Sequence, residues 1–325
     1  MKQKKDKKML EKKVSQGIKF FSRYLVVGIS VVVIALLSIL NPFVINEGPS
    51  QLGQPTLLSD AYAEVLPTRI KRAVPPPEIS AESALVVDRE SGRYIYHKRI
   101  DEPRPLASIT KLMTMLVLLD RAVDWSTVYE ITEADRVTAE GSQAGLRLRE
   151  KVMLDDLFKA ALVVSANDAV LALVHSQGWA EEEFSAFMNL KAKALGLPAT
   201  FFVEPTGLDS DNRAPATAVA KILDLALAQE KIASVLSLPD YEFVSESGFK
   251  HSLINTNRLV GVSESLITAG KTGFLPKSGY NFVGQARGPA GQELIVVILG
   301  SNSINSRLAE AEALVQWVVE NYVWQ

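Results

Sequence analysis

The hydrophobic pattern divides the chain into stretches of different character. The run YLVVGISVVVIALLSIL at 24–40 carries no charge, and Phe43, Val44 and Ile45 extend it. About 20 such residues in a helix span roughly 30 Å, the thickness of bilayer hydrocarbon. Residues 46–80 show no sustained period and hold six of the fifteen prolines, ending in Pro75-Pro76-Pro77, which reads as a linker. From residue 81 onward the periods are those of a folded domain. Two apolar runs, 83–89 and 93–98, flank Glu90-Ser91-Gly92, a hairpin signal. Helical spacing follows over 108–123, beyond Pro103 and Pro105, and again over 154–176, 181–195, 216–229 and 303–322. Residues 128–150 are polar and mixed, as in short strands and turns, while 266–274, 280–287 and 293–300 read as strands joined by short turns.

The order is therefore two strands, a helical middle, three strands and one helix. Strands from both ends of a domain commonly meet in one sheet, and short links make neighbours antiparallel. The predicted fold class is α+β: an antiparallel sheet backed by helices, with the helical middle as a lobe of its own. It is preceded by one transmembrane helix. A cleft between sheet and lobe is the natural place for a site.

Charge gives the first stretch its orientation. Residues 1–24 carry nine Lys/Arg and two Asp/Glu, net +7, against −2 for the whole chain, which leaves −9 for the remainder. The positive-inside rule keeps the basic end cytoplasmic and the bulk extracytoplasmic. A cleaved signal peptide has a shorter apolar core followed by small residues. Here Asn41-Pro42-Phe43 follows, and Ala61-Tyr62-Ala63 comes too late. The expected organisation is a cytoplasmic basic tail (1–23), a retained transmembrane signal anchor (24–45), a Pro-rich linker (46–80) and a catalytic domain (81–325) at the cell membrane. So acidic a body is not a nucleic-acid binder. Cysteine is absent, which excludes disulfides, thiolate metal sites and a cysteine nucleophile. With only three histidines, no metal site or cofactor is expected.

Ser108-Ile109-Thr110-Lys111 opens the first helix, and i to i+3 spacing puts Ser108 and Lys111 on one face. A serine hydroxyl needs a nearby base, and a lysine can serve where burial or a second cation lowers its pKa. A chain of this length carries S-x-x-K by chance, and Ser247-Gly248-Phe249-Lys250 repeats the spelling in a polar turn. Lys271-Thr272-Gly273 puts a cation and a hydroxyl at the end of a strand, suited to a carboxylate, with a glycine that allows close approach of substrate. Ser165-Ala166-Asn167 interrupts an apolar run, and buried polar side chains need a reason. Ser210-Asp211-Asn212 is a rival S-x-N, in a loop where such residues form turns without function. His175 and His251 suggest no serine triad, because no G-x-S-x-G accompanies them.

S-x-x-K, S-x-N and K-T-G in this order are the three elements of penicillin-binding proteins and class A β-lactamases. The chain resembles the low-molecular-weight penicillin-binding proteins, the D-alanyl-D-alanine carboxypeptidase/endopeptidase family of serine peptidases (family S11), over about 80–322. Pro105 to Thr114, Phe202 to Leu208 and Ser278-Gly279-Tyr280-Asn281 also look like that family's landmarks. The resemblance implies that Ser108 attacks the penultimate D-Ala carbonyl of a peptidoglycan stem peptide and that Lys111 takes its proton. It implies that Ser165 relays a proton to the leaving amine and that Asn167 holds substrate amides. Lys271 and Thr272 bind the terminal carboxylate, with Lys271 helping to keep Lys111 neutral. The backbone N–H groups of Ser108 and Phe274 form the oxyanion hole beside Gly273. β-Lactams would be covalent inhibitors. Glu204-Pro205-Thr206-Gly207-Leu208 and Asn255-Thr256-Asn257 also resemble the branch of the family that cuts cross-links. A non-catalytic wall-binding protein on the same fold and a β-lactam hydrolase are the alternatives. Glu204 matches the β-lactamase deacylating glutamate poorly and reads as structural.

Overall fold

The computed structural model describes residues 66–72, 74–136 and 141–325. The predicted basic tail, transmembrane anchor and first part of the linker lie outside these residues, and no helix among the described residues is long and apolar enough to cross a membrane. In chain order β1 (Pro67–Arg69), β2 (Ser83–Asp88), β3 (Tyr94–Lys98) and β4 (Arg104–Pro105) come first. A 3₁₀ turn, Ala107–Ile109, then runs into α1 (Thr110–Leu119). β5 (Val128–Glu130), β6 (Lys151–Met153), α2 (Leu154–Val163), α3 (Asn167–Ser176) and α4 (Glu181–Ala194) follow. Next come β7 (Arg213–Ala214), α5 (Ala216–Leu227), α6 (Glu230–Leu236) and the hairpin β8 (Asp240–Val244) and β9 (Lys250–Ile254). The chain ends with β10 (Ile267–Leu275), β11 (Gly279–Arg287), β12 (Glu293–Ser301), α7 (Ser306–Asn321) and β13 (Tyr322–Trp324).

The main sheet has the order β10-β11-β12-β2-β3, and every pairing is antiparallel. Strands from both ends of the domain thus meet, as their hydrophobic runs predict. Because side chains alternate along a strand, both faces are apolar. Leu85, Val87, Ile295, Val297 and Leu299 face the large core of the helical lobe. Ala84, Val86, Leu294, Val296 and Ile298 face the other way, onto Leu308, Ala311, Leu314, Val315 and Val318 of α7. This explains why β2 and β12 read as continuous apolar runs: a sheet covered on both sides has no polar face to alternate with.

β10 is an edge of this sheet, so its outer backbone is not used by another strand of the sheet. That edge faces the nucleophile turn, and it does so through glycine. A Cβ on Gly273 would lie 2.8 Å from Leu106 O and 3.1 Å from Ser108 N.

The boundary placed at 80/81 by proline content moves toward the N-terminus. β1 pairs antiparallel with β13 at Pro67↔Trp324 through Arg69↔Tyr322. Asn321 Oδ1 accepts from the Val74 N–H at 2.7 Å, and Trp317 Nε1–H donates to Val74 O at 2.9 Å. The prolines of the linker's described end therefore accompany a docked extended segment, not a free tether.

Candidate active site

The nucleophile turn is built under constraint. Ala107, just before Ser108, has φ +50, a region that costs a residue with a Cβ of order 1 kcal/mol and persists only where its surroundings enforce it. Three segments enforce it here. Asn281, wholly buried on β11, donates to Pro105 O (2.9 Å) and Leu106 O (3.1 Å) and accepts from the Gly300 N–H (2.8 Å). Gly273 lies against the turn from β10. Gly207, at φ +92, lies so close that a Cβ would fall 2.0 Å from Ala107 O. Ser108 makes no side-chain cap, so its hydroxyl is not committed to the helix end.

Lys111 is fully buried at the start of α1, and its Nζ lies 3.0 Å from Ser108 Oγ. It also donates to Asn167 Oδ1 at 2.6 Å and to Thr206 O at 2.6 Å. Burial is the largest influence on it and brings its pKa down to about 7, against the opposing pull of Glu204 and Asp168. A lysine so placed is neutral in a large fraction of molecules near neutral pH and can accept the Ser108 proton.

The interruption at 165–167 turns out to be a break between two helices. Ser165 adopts φ +67 between α2 and α3, which ends the first helix and aims the side chain out of the apolar stack. The single helical pattern over 154–176 is therefore two helices, and the apolar residues on both sides hide the joint. Ser165 Oγ accepts from Lys271 Nζ at 2.7 Å. Asp168, the next polar residue of α3, holds the 144–146 loop by accepting from the Ala144 N–H (3.0 Å) and the Leu146 N–H (3.4 Å).

Lys271 is buried on β10, and its pKa lies well below the usual lysine value. Burial is the main cause, and the charges of Lys111 and Arg307 add to it. The resemblance implies that Lys271 keeps Lys111 neutral. Burial is the main cause for both lysines, and the Lys111–Lys271 repulsion adds to it, since repulsion between two cations acts on the pair. Thr272 Oγ1–H donates to Thr256 Oγ1 at 2.7 Å. Phe274 is exposed, and its ring stacks on Tyr280 with centroids 4.3 Å apart.

Seven of the eight candidates, Ser108, Ser165, Asn167, Thr272, Gly273 and Phe274 together with Lys111 through its bond to Ser108, converge on one cleft. Lys271 joins through Ser165. The cleft has a volume of about 860 Å³. Sequence reasoning missed Arg307, which is 5% exposed and lines this cleft. Its Nη1–H donates to Gly273 O at 3.0 Å, while its buried Nε–H has no hydrogen-bond partner. Burial lowers its pKa to about 10, so it remains a cation and is a ready ligand for a carboxylate.

The rival motifs lie elsewhere. Asn212 donates to Glu204 Oε1 at 2.7 Å and to Thr110 Oγ1 at 3.2 Å, and its Oδ1 accepts from the Val203 N–H at 2.7 Å: it is a clasp in the 202–212 loop. Glu204 accepts from the Thr206, Gly207 and Asp209 N–H groups at 2.6, 2.6 and 3.3 Å. Its carboxylate is thus filled by its own loop, in keeping with a structural role. His175 pairs with Asp135 and His251 with Glu150, each at 2.6–2.7 Å and away from Ser108.

A profile of the family described as "D-alanyl-D-alanine carboxypeptidase", peptidase S11, matches residues 70–303. The chain is 31% identical to a D-alanyl-D-alanine endopeptidase of Escherichia coli (strain K12) over 244 residues, 74% of this chain and 78% of that protein. It is 29% identical to the D-alanyl-D-alanine carboxypeptidase DacF of Bacillus subtilis (strain 168) over 255 residues, 74% of this chain but 63% of that one. Among solved structures, the Streptomyces K15 DD-transpeptidase superposes with a TM-score of 0.71 at 27% identity, covering 76% of this chain and 100% of that one. A D-alanyl-D-alanine carboxypeptidase from Mycobacterium tuberculosis H37Rv does so with a TM-score of 0.69 at 26% identity, covering 77% and 95%.

Proposed function

The chain belongs to the D-alanyl-D-alanine carboxypeptidase family of serine peptidases, and we propose that it removes the terminal D-Ala from peptidoglycan stem peptides through an acyl-enzyme on Ser108. The observation that carries this reading is the buried Lys111 amine nitrogen 3.0 Å from Ser108 Oγ, with its pKa brought to about 7. Ser108 Oγ bonds to the carbonyl carbon of the penultimate D-Ala as its proton passes to Lys111. The oxyanion is met by the N–H groups of Ser108 and Phe274, on the turn and edge strand that Gly273 brings together. As the C–N bond breaks, Ser165 passes a proton to the leaving amine. Water then cleaves the ester and regenerates Ser108. Asn167 orients the stem-peptide amides, and Lys271, Thr272 and Arg307 receive the terminal carboxylate. A carboxylate arriving there favours the protonated form of Lys271.

Removal of cross-links is a second reading, and the cleft itself favours considering it. Beyond Arg307 the same cavity takes in Arg258, Leu259, Ile304, Leu308 and Glu312. A leaving group larger than D-Ala would have these residues to contact. The basic run ahead of the uncharged stretch 24–40 supports a retained anchor, with the catalytic domain on the extracytoplasmic side of the cell membrane.

The test is the intact mass of the full-length protein after incubation with benzylpenicillin, together with the products formed from muropeptides. A stable one-equivalent adduct and free D-Ala are expected. Uncross-linked muropeptides without free D-Ala would establish the endopeptidase reading. Fast loss of penicillin without an adduct would mark a β-lactam hydrolase. No adduct with the penicillin intact would leave a non-catalytic wall-binding protein.

A further inference from the structure

The end of the domain away from the cleft has a surface of its own. Helix α7 begins at Ser306, beside the cleft residue Arg307, and ends at Asn321. Its 16 residues span roughly 24 Å. At that far end Asn321 holds the turn after β1. Its backbone O accepts from the Ile70 N–H at 3.0 Å and its Oδ1 from the Val74 N–H at 2.7 Å. The β1–β13 ribbon lies here with two unlike faces. On the inner face Tyr322 packs against Trp317, with ring centroids 5.6 Å apart, and Trp324 Nε1–H donates to Asp88 Oδ1 at 2.9 Å. The outer face carries Thr68 opposite Val323, both exposed, and the adjoining turn exposes Val74.

The charge of this surface runs against that of the body. Residues 66–77 hold Arg69, Lys71 and Arg72 and no acidic residue, whereas residues 25–325 together carry −9. Arg69 donates to Val74 O at 3.2 Å and lies over the Trp317 ring. Lys71 and Arg72 are exposed, and among the described residues neither has a hydrogen bond or ion pair. Of the neighbouring acids, Glu320 accepts from Gln316 Nε2–H at 2.6 Å and Asp88 accepts from Ser91 and Trp324, while exposed Glu78 lies beyond the three prolines. Free cations beside exposed valines suit a layer of anionic head groups over hydrocarbon.

We propose that the outer face of the β1–β13 ribbon, with Lys71 and Arg72, docks on anionic lipid head groups of the membrane that holds the anchor. The proposal rests on the retained-anchor reading above and adds an orientation to it: the cleft lies at the end of α7 turned away from the bilayer. Residues 46–65, which separate the predicted anchor from Leu66, reach about 70 Å at most. Tethering at such a distance raises the effective concentration of the bilayer, so a small patch suffices.

The test uses the full-length protein reconstituted into vesicles that contain lipids with nitroxide head groups. Because the chain has no cysteine, a bimane label on Thr68→Cys reports this face alone. A label on Asp211→Cys, in the loop whose Leu208 lines the cleft, is the control. In phosphatidylcholine with phosphatidylglycerol the label at 68 should be quenched and the label at 211 should not. The docked-to-free ratio should fall on the order of thirtyfold when Lys71→Ser and Arg72→Ser are added, about fivefold for each basic residue. It should fall in phosphatidylcholine alone as well. Equal quenching in neutral and anionic vesicles, an unchanged ratio in the double variant, or no quenching at all would overturn the docking face while the anchor reading stands. Shielding of the label that grows with protein density and ignores lipid charge would put a second copy of the chain on this face, and would overturn the proposal too. Release of the protein from the vesicles by alkaline carbonate would overturn the anchor reading and the docking face with it.

Discussion

Ser108 with Lys111 and Ser247 with Lys250 have the same spelling and spacing, and the fold gives them opposite surroundings. The first pair sits at the start of a helix beneath three packed segments, with Lys111 fully buried. The second sits at the tip of the β8–β9 hairpin. There Ser247 Oγ accepts from the Lys151 N–H at 2.9 Å, and exposed Lys250 pairs with Glu242 at 2.9 Å. In water a lysine is protonated far above neutral pH and has no lone pair to offer. Burial disfavours the charged form by an amount that exposed ion pairs, worth about 0–1 kcal/mol, cannot approach. What separates a base from an ornament is therefore the burial of Lys111 among the segments that carry Asn167 and Thr206, which accept its hydrogen bonds.

The sharpest break between the two serines is acylation itself. Ser108→Ala should abolish the penicillin adduct altogether. Because Ser108 makes no side-chain cap, the thermal midpoint should hardly move, less even than the roughly 1 kcal/mol that a lost cap costs. An adduct on the Ser108→Ala protein, located by peptide mapping, would place the nucleophile elsewhere.

Next in size is the base. Lys111→Met keeps the length and apolar character of the side chain while removing the nitrogen, and acylation should slow by about 10²–10⁴-fold. In wild type the rate should rise with pH through about 7 and level off above it, because only the neutral amine accepts the proton. A rate that falls through this range, or one that is flat from pH 5 to 9, would remove Lys111 from the role. The slope should vanish in Lys111→Met.

Lys271→Ala comes third, and its effect should depend on the ligand. On ligands with a free carboxylate a loss of about 10²-fold is expected, since a buried charge-assisted contact is removed. On the corresponding methyl esters the loss should be under about tenfold, from the disturbed Ser165 alone. Equal losses on both would mean that Lys271 serves Ser165 and not the carboxylate.

Much of this was legible in the sequence, for reasons that the molecule makes plain. In the main sheet β2 and β12 carry continuous apolar runs, and β10 and β11 are nine-residue stretches joined by short turns, so all four announce themselves. The catalytic residues are recognisable because their order and spacing are fixed by chemistry. Strands β1 and β13 are three residues each and carry no period, and their pairing joins opposite ends of the domain. The β8–β9 hairpin does alternate, with Phe243, His251 and Leu253 buried between exposed neighbours. Arg307 gave a signal of another kind. It lies in phase with Ala311, Leu314, Val315 and Val318, so it puts a charge on the stripe that α7 buries. A charge on a buried stripe asks for a partner, and the cleft is what provides for it.

The smallest expected effect returns to the hairpin. Ser247→Ala and Lys250→Ala should each leave penicillin acylation within about twofold of wild type. Ser247→Ala loses one hydrogen bond to an exposed backbone N–H, worth about 0.5–1.5 kcal/mol, which shifts the thermal midpoint of a domain this size by no more than a few degrees. Lys250→Ala loses an exposed ion pair and should shift it less. The pair of variants is informative because a motif search alone ranks both S-x-x-K copies equally. Slowed acylation in either hairpin variant, with the midpoint unchanged, would mean that the hairpin reaches the substrate and that burial is not what distinguishes the two pairs. Unchanged acylation in both, beside its loss in Ser108→Ala, would tie the chemistry to the water-excluding segments around Lys111 and to nothing in the spelling.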